Sequence, residues 1–299
     1  MSDNQAFKLI AIYLKIIDLY VSHLKNHCMR FTNNNEPEFT DTELITIYIF
    51  CIIHEQRSNN TQIYKFADNY LRSWFPKLPS YTAFNTRLNN LAAVFEVLAE
   101  ILMSELQPET SQNYIKVLDS MPVITCSGKR KAKVAPEITD KGFNSTKNMY
   151  FYGLKLHFLN SSRKGKLPVP LSFVVTPASE NDLNVFKQFW SDIPDTVFFG
   201  DKIYQDKPFF QDVFQKYNSL MYTPIKAVKG EAECLKLRDK AYNDLFSKAV
   251  STIREPIESF FNWLIQKTDI QRASKVRSAN GLLVHIFGRI AAALLVFNS

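Results

Sequence analysis

The chain has 299 residues, 46% of them hydrophobic and 13% aromatic, enough for one large core or two smaller ones, and it carries a formal charge of +7. The longest apolar runs, residues 44–53 and 290–297, are too short to span a bilayer, and the first residues lack the basic flank and cleavage site of a secretory signal. A globular, cytoplasmic protein with no membrane partner is expected, and the positive charge suggests a polyanionic one.

In chain order, the first hundred or so residues read as helical. Thr40 and Glu43 form a capping box ahead of a helix running to about residue 55, with Phe39 placed to staple against Leu44. Another helix follows the polar stretch 56–62 and ends before Pro76, and a third starts at Ser80. Its segment 81–91 has a small, polar and basic face with Thr82, Asn85, Thr86 and Arg87, the composition of a recognition helix and equally of an ordinary packed one. His23 and His27 would share a helical face beside Cys28. A solvated helix explains them as well as zinc does, since no second ligand pair follows. Cys28, Cys51, Cys126 and Cys234 are scattered without a CxxC spacing, which fits a reducing compartment.

Pro108 closes that region, and the periodicity changes. Strands are expected at 114–126, 149–160 and 168–178, then a helix over 181–192, a strand over 195–201, a helix over 207–217 and a strand over 220–225. This order gives an α/β class: a mixed sheet flanked by helices over 109–299, behind an all-helical region over 1–108. Past residue 226 the chain turns helical and charged, and helices near 253–267 and 280–298 close the fold.

Positive charge gathers between residues 129 and 166, where Lys129, Arg130, Lys131, Lys133, Lys141, Lys147, Lys155, Arg163, Lys164 and Lys166 face only Glu137 and Asp140. That is either a solvated basic loop and hairpin or a phosphate-binding surface, and the second cluster of Lys267, Arg272, Lys275 and Arg277 tilts the balance to nucleic acid. Lys155 and His157 alternate along one strand and point to one side of it, toward a substrate backbone or, for His157, into packing.

Three acids stand out. Asp119 interrupts the apolar strand "YIKVLDSMPVITC", and Asp201 ends the apolar "TVFF" run directly after Gly200. Singly, each has an ordinary explanation, as the partner of a buried cation or as a helix cap. Glu258 adjoins an apolar stripe of Ile257, Phe260, Phe261, Leu264 and Ile265, with Arg254 one turn earlier to orient it. Pro256 places that glutamate near a helix start, and Glu255 is the competing acid on the other side of the turn. Three carboxylates in one place repel unless a cation neutralises them, and hard divalent ions with oxygen ligands do this in phosphoryl transfer.

The stretches "VLDSMPV", "FYGLKLH", "GDKIY" and "REPIESFF", in that order, resemble the successive motifs of DDE transposases from bacterial insertion sequences, and the similarity extends to "LPSYTAF" in the helical region. The resemblance implies an RNase H-like catalytic domain in which Asp119, Asp201 and Glu258 hold two Mg²⁺ (or Mn²⁺) ions. Arg254 matches the arginine four residues before the glutamate, and Tyr204 the aromatic after the second aspartate. It implies cleavage at transposon ends, attack of the freed 3′-hydroxyl on target DNA without a covalent protein intermediate, and assembly on double-stranded DNA as a homodimer or larger. DNA contacts are expected from Arg130, Lys131, Lys155, His157, Arg254, Lys267 and Arg87. Ser251 and Ile265 stand where some relatives carry a tyrosine and a lysine, and Lys267 can take over a phosphate contact. The rivals are an RNase H-like endonuclease that cuts without joining and an inactive DNA-binding protein. A tyrosine recombinase would need clustered Arg and His around Tyr204, which the sequence lacks.

Overall fold

Thr40 starts the central helix as its capping box requires: its side chain accepts from the Glu43 amide at 3.2 Å, and its own amide donates to Glu43 Oε2 at 2.5 Å. The computed structural model describes residues 2–28, 37–106, 114–129, 133–144, 147–226 and 233–297. α1 (Asp3–Leu19) precedes a π turn and a 3-10 turn, and α2 (Asp41–Ile53) follows Thr40. α2 is buried on nearly every side, as a helix apolar all round must be. α3 (Asn60–Tyr70), α4 (Tyr81–Asn90, capped by Ser80) and α5 (Ala92–Leu106) pack around it. His23 and His27 are exposed on the irregular turns while Cys28 is buried, so the three do not form one face.

The sheet strands are β1 (Ile115–Ser127), β2 (Asp140–Asn144), β3 (Met149–Ser161) and β4 (Val169–Pro177). α6 (Asp182–Phe189), β5 (Val197–Phe199), α7 (Lys207–Tyr217) and β6 (Leu220–Tyr222) follow. β3 runs antiparallel to β1 on one side and to β2 and β4 on the other, and β5 and β6 extend the β1 edge in parallel. The order β4-β3-β1-β5-β6, three antiparallel strands followed by two parallel ones, is the mixed RNase H-like sheet expected, behind an all-helical N-terminal region. β2 has no counterpart in the sequence reading: "DKGFN" lacks alternation, and it holds its place as a short edge strand through its pairing with β3.

The last two helices correct the sequence reading. α8 (Glu233–Thr268) is one helix of 36 residues with Pro256 inside it, not a helix that begins near residue 253. Proline removes one amide donor and costs about 3 kcal/mol inside a helix. The apolar side that follows, Ile257, Phe260, Phe261 and Leu264, is buried against the sheet and is worth more than that. α9 (Ala279–Leu295), capped by Ser278, packs on α5 and α2, so the N-terminal helices, one sheet face, α8 and α9 share a single core. Two of its polar residues turn inward and bond each other, Arg289 Nε donating to His285 Nδ1 at 3.1 Å. A smaller cluster of Leu118, Leu159, Phe186, Trp190, Phe198 and Tyr204 lies with α6 and β5. Among the described residues no helix is long and apolar enough to cross a membrane.

Candidate active site

Asp119 lies in the middle of β1 opposite Phe158 of β3, and cross-strand partners share a face of the sheet. Phe158 packs edge-on against Phe260 of α8, with ring centroids 5.1 Å apart, so this contact lays α8 across the face on which Asp119 stands. One turn and a half before Phe260, Arg254 reaches down: its Nη1 donates to Asp119 Oδ2 at 2.6 Å and its Nη2 to Glu258 Oε1 at 2.8 Å. A single guanidinium thus ties a strand carboxylate to a helix carboxylate 139 positions away in sequence. Glu255, the competing acid, is exposed and makes no ion pair among the described residues.

Asp201 follows β5, which is parallel to β1, and so enters at the carboxyl end of a neighbouring strand. It precedes a 3-10 turn but makes no side-chain cap there, and Asp206 caps α7 instead by accepting from the Phe209 amide. The capping explanation of Asp201 therefore falls away. Its carboxylate is exposed and makes no hydrogen bond among the described residues, yet it is close enough to act on Asp119. Burial pushes the Asp119 carboxyl up to about 6; Arg254 and the Ser120 amide draw it down, and the charges of Asp182 and Asp201 push it up again.

Asp182 is the acid that sequence reasoning missed. It opens α6 with its side chain only 12% exposed, takes Lys155 Nζ at 3.0 Å, and stands 3.4 Å from His157 Nδ1. The signal in the sequence is slight: an Asn-Asp pair at a helix start, which reads as a cap, and Asn181 does cap the helix. Lys155 also donates to the Glu180 carbonyl at 2.6 Å. His157 is fully buried, shares a 2.9 Å hydrogen bond with Thr176 Oγ1, and is held by burial at about 4, well below the usual histidine value. Lys155 is committed to this network, and His157 has no surface from which to meet DNA.

Tyr204 is buried beneath the acids. Burial raises its hydroxyl far above the ordinary range, and Asp182, Asp119 and Asp201 raise it further. The hydroxyl oxygen has no hydrogen-bond partner among the described residues. Gly200 makes room for the ring, since a Cβ there would come within 2.6 Å of Tyr204 Cδ2.

The remaining expected DNA contacts disperse. Arg87 is turned inward, paired with Asp41 at 2.7 Å and set over the Phe39 ring at 5.3 Å. Lys267 is exposed nine residues along α8 from Glu258, about 14 Å at helical rise, and lies near His54 of the helical region. Arg130 and Lys131 lie outside the described residues.

Among the described residues no three His, Cys, Asp or Glu side chains converge closely enough to hold a metal ion. In chemistry the donor set nevertheless fits a hard divalent cation. All its ligand atoms are carboxylate oxygens, and Asp119 remains short of positive charge even with Arg254 beside it.

The family model described as the transposase DDE domain matches residues 110–295, more than half of the chain. No curated protein matches. Among solved structures, a chain of the crystal structure of a pre-cleavage Mos1 transpososome is similar at 11% identity, over 91% of this chain and 82% of that one, with a TM-score of 0.19.

Proposed function

The chain belongs to the DDE transposase domain family, and on that premise we propose that it cuts the ends of an insertion sequence and joins them to target DNA through Asp119, Asp201 and Glu258. The observation that carries this reading is the Arg254 bridge between Asp119 and Glu258, with the charge of Asp201 felt at Asp119. Two acids, one from a central strand and one from a helix, meet one arginine there, and a third at a strand end adds its charge, an arrangement that is expensive for stability and useful for handling charge.

In this reading two Mg²⁺ (or Mn²⁺) ions held by the three carboxylates would supply acidity to a water molecule and neutralise charge gathering on the phosphate. The chain's own residues position. Arg254 fixes the spacing of Asp119 and Glu258, and its guanidinium would also be placed to take a phosphate oxygen. The Lys155–Asp182–His157 network holds the floor of the site, and Tyr204 fills the space beneath it, excluding water from the buried side. Water attacks the scissile phosphodiester and the 3′-oxygen leaves with a proton. That 3′-hydroxyl then attacks a target phosphodiester, forming one P–O bond as another breaks, so catalysis is mainly positioning and electrostatic stabilisation.

We assign DNA binding by the helical region to residues 1–108, the chemistry to 109–299, and the place of action to the cytoplasm. A homodimer or larger assembly on the DNA would bring two ends together.

The test uses labelled DNA carrying the terminal repeats that flank the gene, with Mg²⁺ or Mn²⁺, comparing wild type with Asp119→Asn, Asp201→Asn and Glu258→Gln. Cutting and joining, both lost in the three variants, support the proposal. Cutting without joined products means an endonuclease, and binding with no chemistry in any protein means an inactive DNA-binding protein.

A further inference from the structure

A cleft of about 730 Å³ opens between the helical region and the segment that links α8 to α9. Its chemistry is one-sided. Arg272, Lys275 and Arg277 stand on the linking segment, Arg289 of α9 reaches it from below, and Asp269 is the one carboxylate among its lining residues. Arg272 and Lys275 are exposed and make no ion pair among the described residues. The opposite wall, from α3 and α4, is amide-rich: Asn60 Nδ2 donates to Asn85 Oδ1 at 2.8 Å, and Asn89 Oδ1 is buried without a partner among the described residues.

Arg289 separates this cleft from an ordinary basic surface. The residue is 2% exposed, its Nη2 donates to the Ser58 carbonyl at 2.5 Å and its Nε to His285, but Nη1 is buried with no hydrogen-bond partner among the described residues. A buried guanidinium N–H left unmade is costly, and an anionic oxygen arriving from the cleft would satisfy it. The N-terminus of α9, a helix of 17 residues, lies on the same lining at Ser278 and Gly281, where the Gly281 amide donates to the Ser278 cap and the helix adds its dipole. Guanidinium and ammonium donors facing one carboxylate, with a helix N-terminus beside them, form a site for phosphate oxygens.

The backbone connects this site to the acids. Gln271 and Ala273 hydrogen-bond to the two sides of Ile124, at 2.8 and 2.9 Å, so the linking segment is pinned to β1 five residues beyond Asp119. At strand rise that is about 17 Å, or roughly five nucleotides of duplex.

We propose that this cleft is a second phosphate-backbone site, gripping the DNA duplex about five nucleotides from the bond that Asp119 addresses, with Arg272 and Lys275 on the rim and Arg289 at the floor. It rests on the reading of the chain as a transposase and adds to it where the flanking duplex is held. A continuous strand, not a free phosphorylated metabolite, is the occupant because the cleft is open along its rim and tied to the acids by one strand.

The experiment measures affinity for a terminal-repeat duplex by fluorescence anisotropy in chelator, so that chemistry plays no part. Wild type is compared with Arg272→Ala/Lys275→Ala and with Lys164→Ala/Lys166→Ala, an exposed basic pair on the hairpin between β3 and β4. The rim pair should weaken binding at least tenfold and flatten the slope of log K against log salt by about 2, close to one unit for each phosphate no longer neutralised. Phosphate ethylation about five nucleotides from the cut should interfere with wild-type binding and not with the rim variant. Equal weakening by the two pairs, or no change in the rim pair, overturns the cleft assignment while leaving the proposed function standing. Saturation of the cleft by inorganic phosphate with DNA affinity unaltered overturns it as well. Failure of wild type to bind any duplex overturns the proposed function itself.

Discussion

Asp119→Asn should make the protein more stable at neutral pH while removing its activity. In the folded chain the Asp119 carboxyl sits near 6 against an ordinary 3.8, with burial the main cause. Between about pH 4 and pH 6 the folded chain therefore keeps a proton that the unfolded chain has released, so this group's contribution to stability falls as pH rises through that window and stays low above it. The displacement corresponds to about 3 kcal/mol at pH 7.5. Asparagine cannot ionise and resembles the protonated acid, so the variant escapes that penalty. Urea denaturation in chelator should show wild type and variant equally stable near pH 3.5 and the variant about 3 kcal/mol more stable at pH 7.5. A wild type as stable as the variant at pH 7.5, or more so, would refute the claim that burial outweighs Arg254 at this carboxyl.

Excess Mg²⁺ should raise the melting temperature of wild type at pH 7.5 and move Asp119→Asn less, since the ion relieves a charge the variant lacks; equal shifts in differential scanning fluorimetry would count against Asp119 as a ligand. Tyr204→Phe should stabilise the fold by about 1 to 2 kcal/mol, because a buried hydroxyl with no partner is removed, and loss of stability would mean the hydroxyl is bonded after all. Gly200→Ala drives a Cβ into the Tyr204 ring and should cost about 1–3 kcal/mol, with DNA cleavage falling alongside; unchanged thermal unfolding would contradict that contact. Arg87→Ala deprives Asp41, whose side chain is 8% exposed, of its guanidinium and should cost about 3 kcal/mol or more. A variant that melts like wild type but binds DNA poorly would instead return Arg87 to the DNA surface.

The alternation of apolar strands and helices after Pro108 was readable because each element carries its own period and boundary. "KPFFQDVFQKY" is the helix α7 residue for residue, with proline at its start and an aspartate before it. Asp119 and Glu258 were visible as charges beside apolar stripes, and the reach of Arg254 to Glu258 follows from helical spacing. Its reach to Asp119 does not, because only the fold brings β1 under α8. Long-range partnerships also explain the departures. Arg87 looked free on an amphipathic helix until Asp41 met it, and Asp182 looked like a cap until the turn of the chain put Lys155 and His157 beside it. Pro256 marks a helix start by local rule, and the buried side beyond it overrides the rule.

The position of α9 bears on how the chain matures. The helix that packs on α5 and α2 is made some two hundred residues after them, so the first helices leave the ribosome with an apolar groove still open. Until residue 295 has emerged they depend on chaperones or on loose collapse to keep that surface from aggregating. A message cut short anywhere before α9 should yield no half-working fragment, since even the region made first lacks the helix that completes its core.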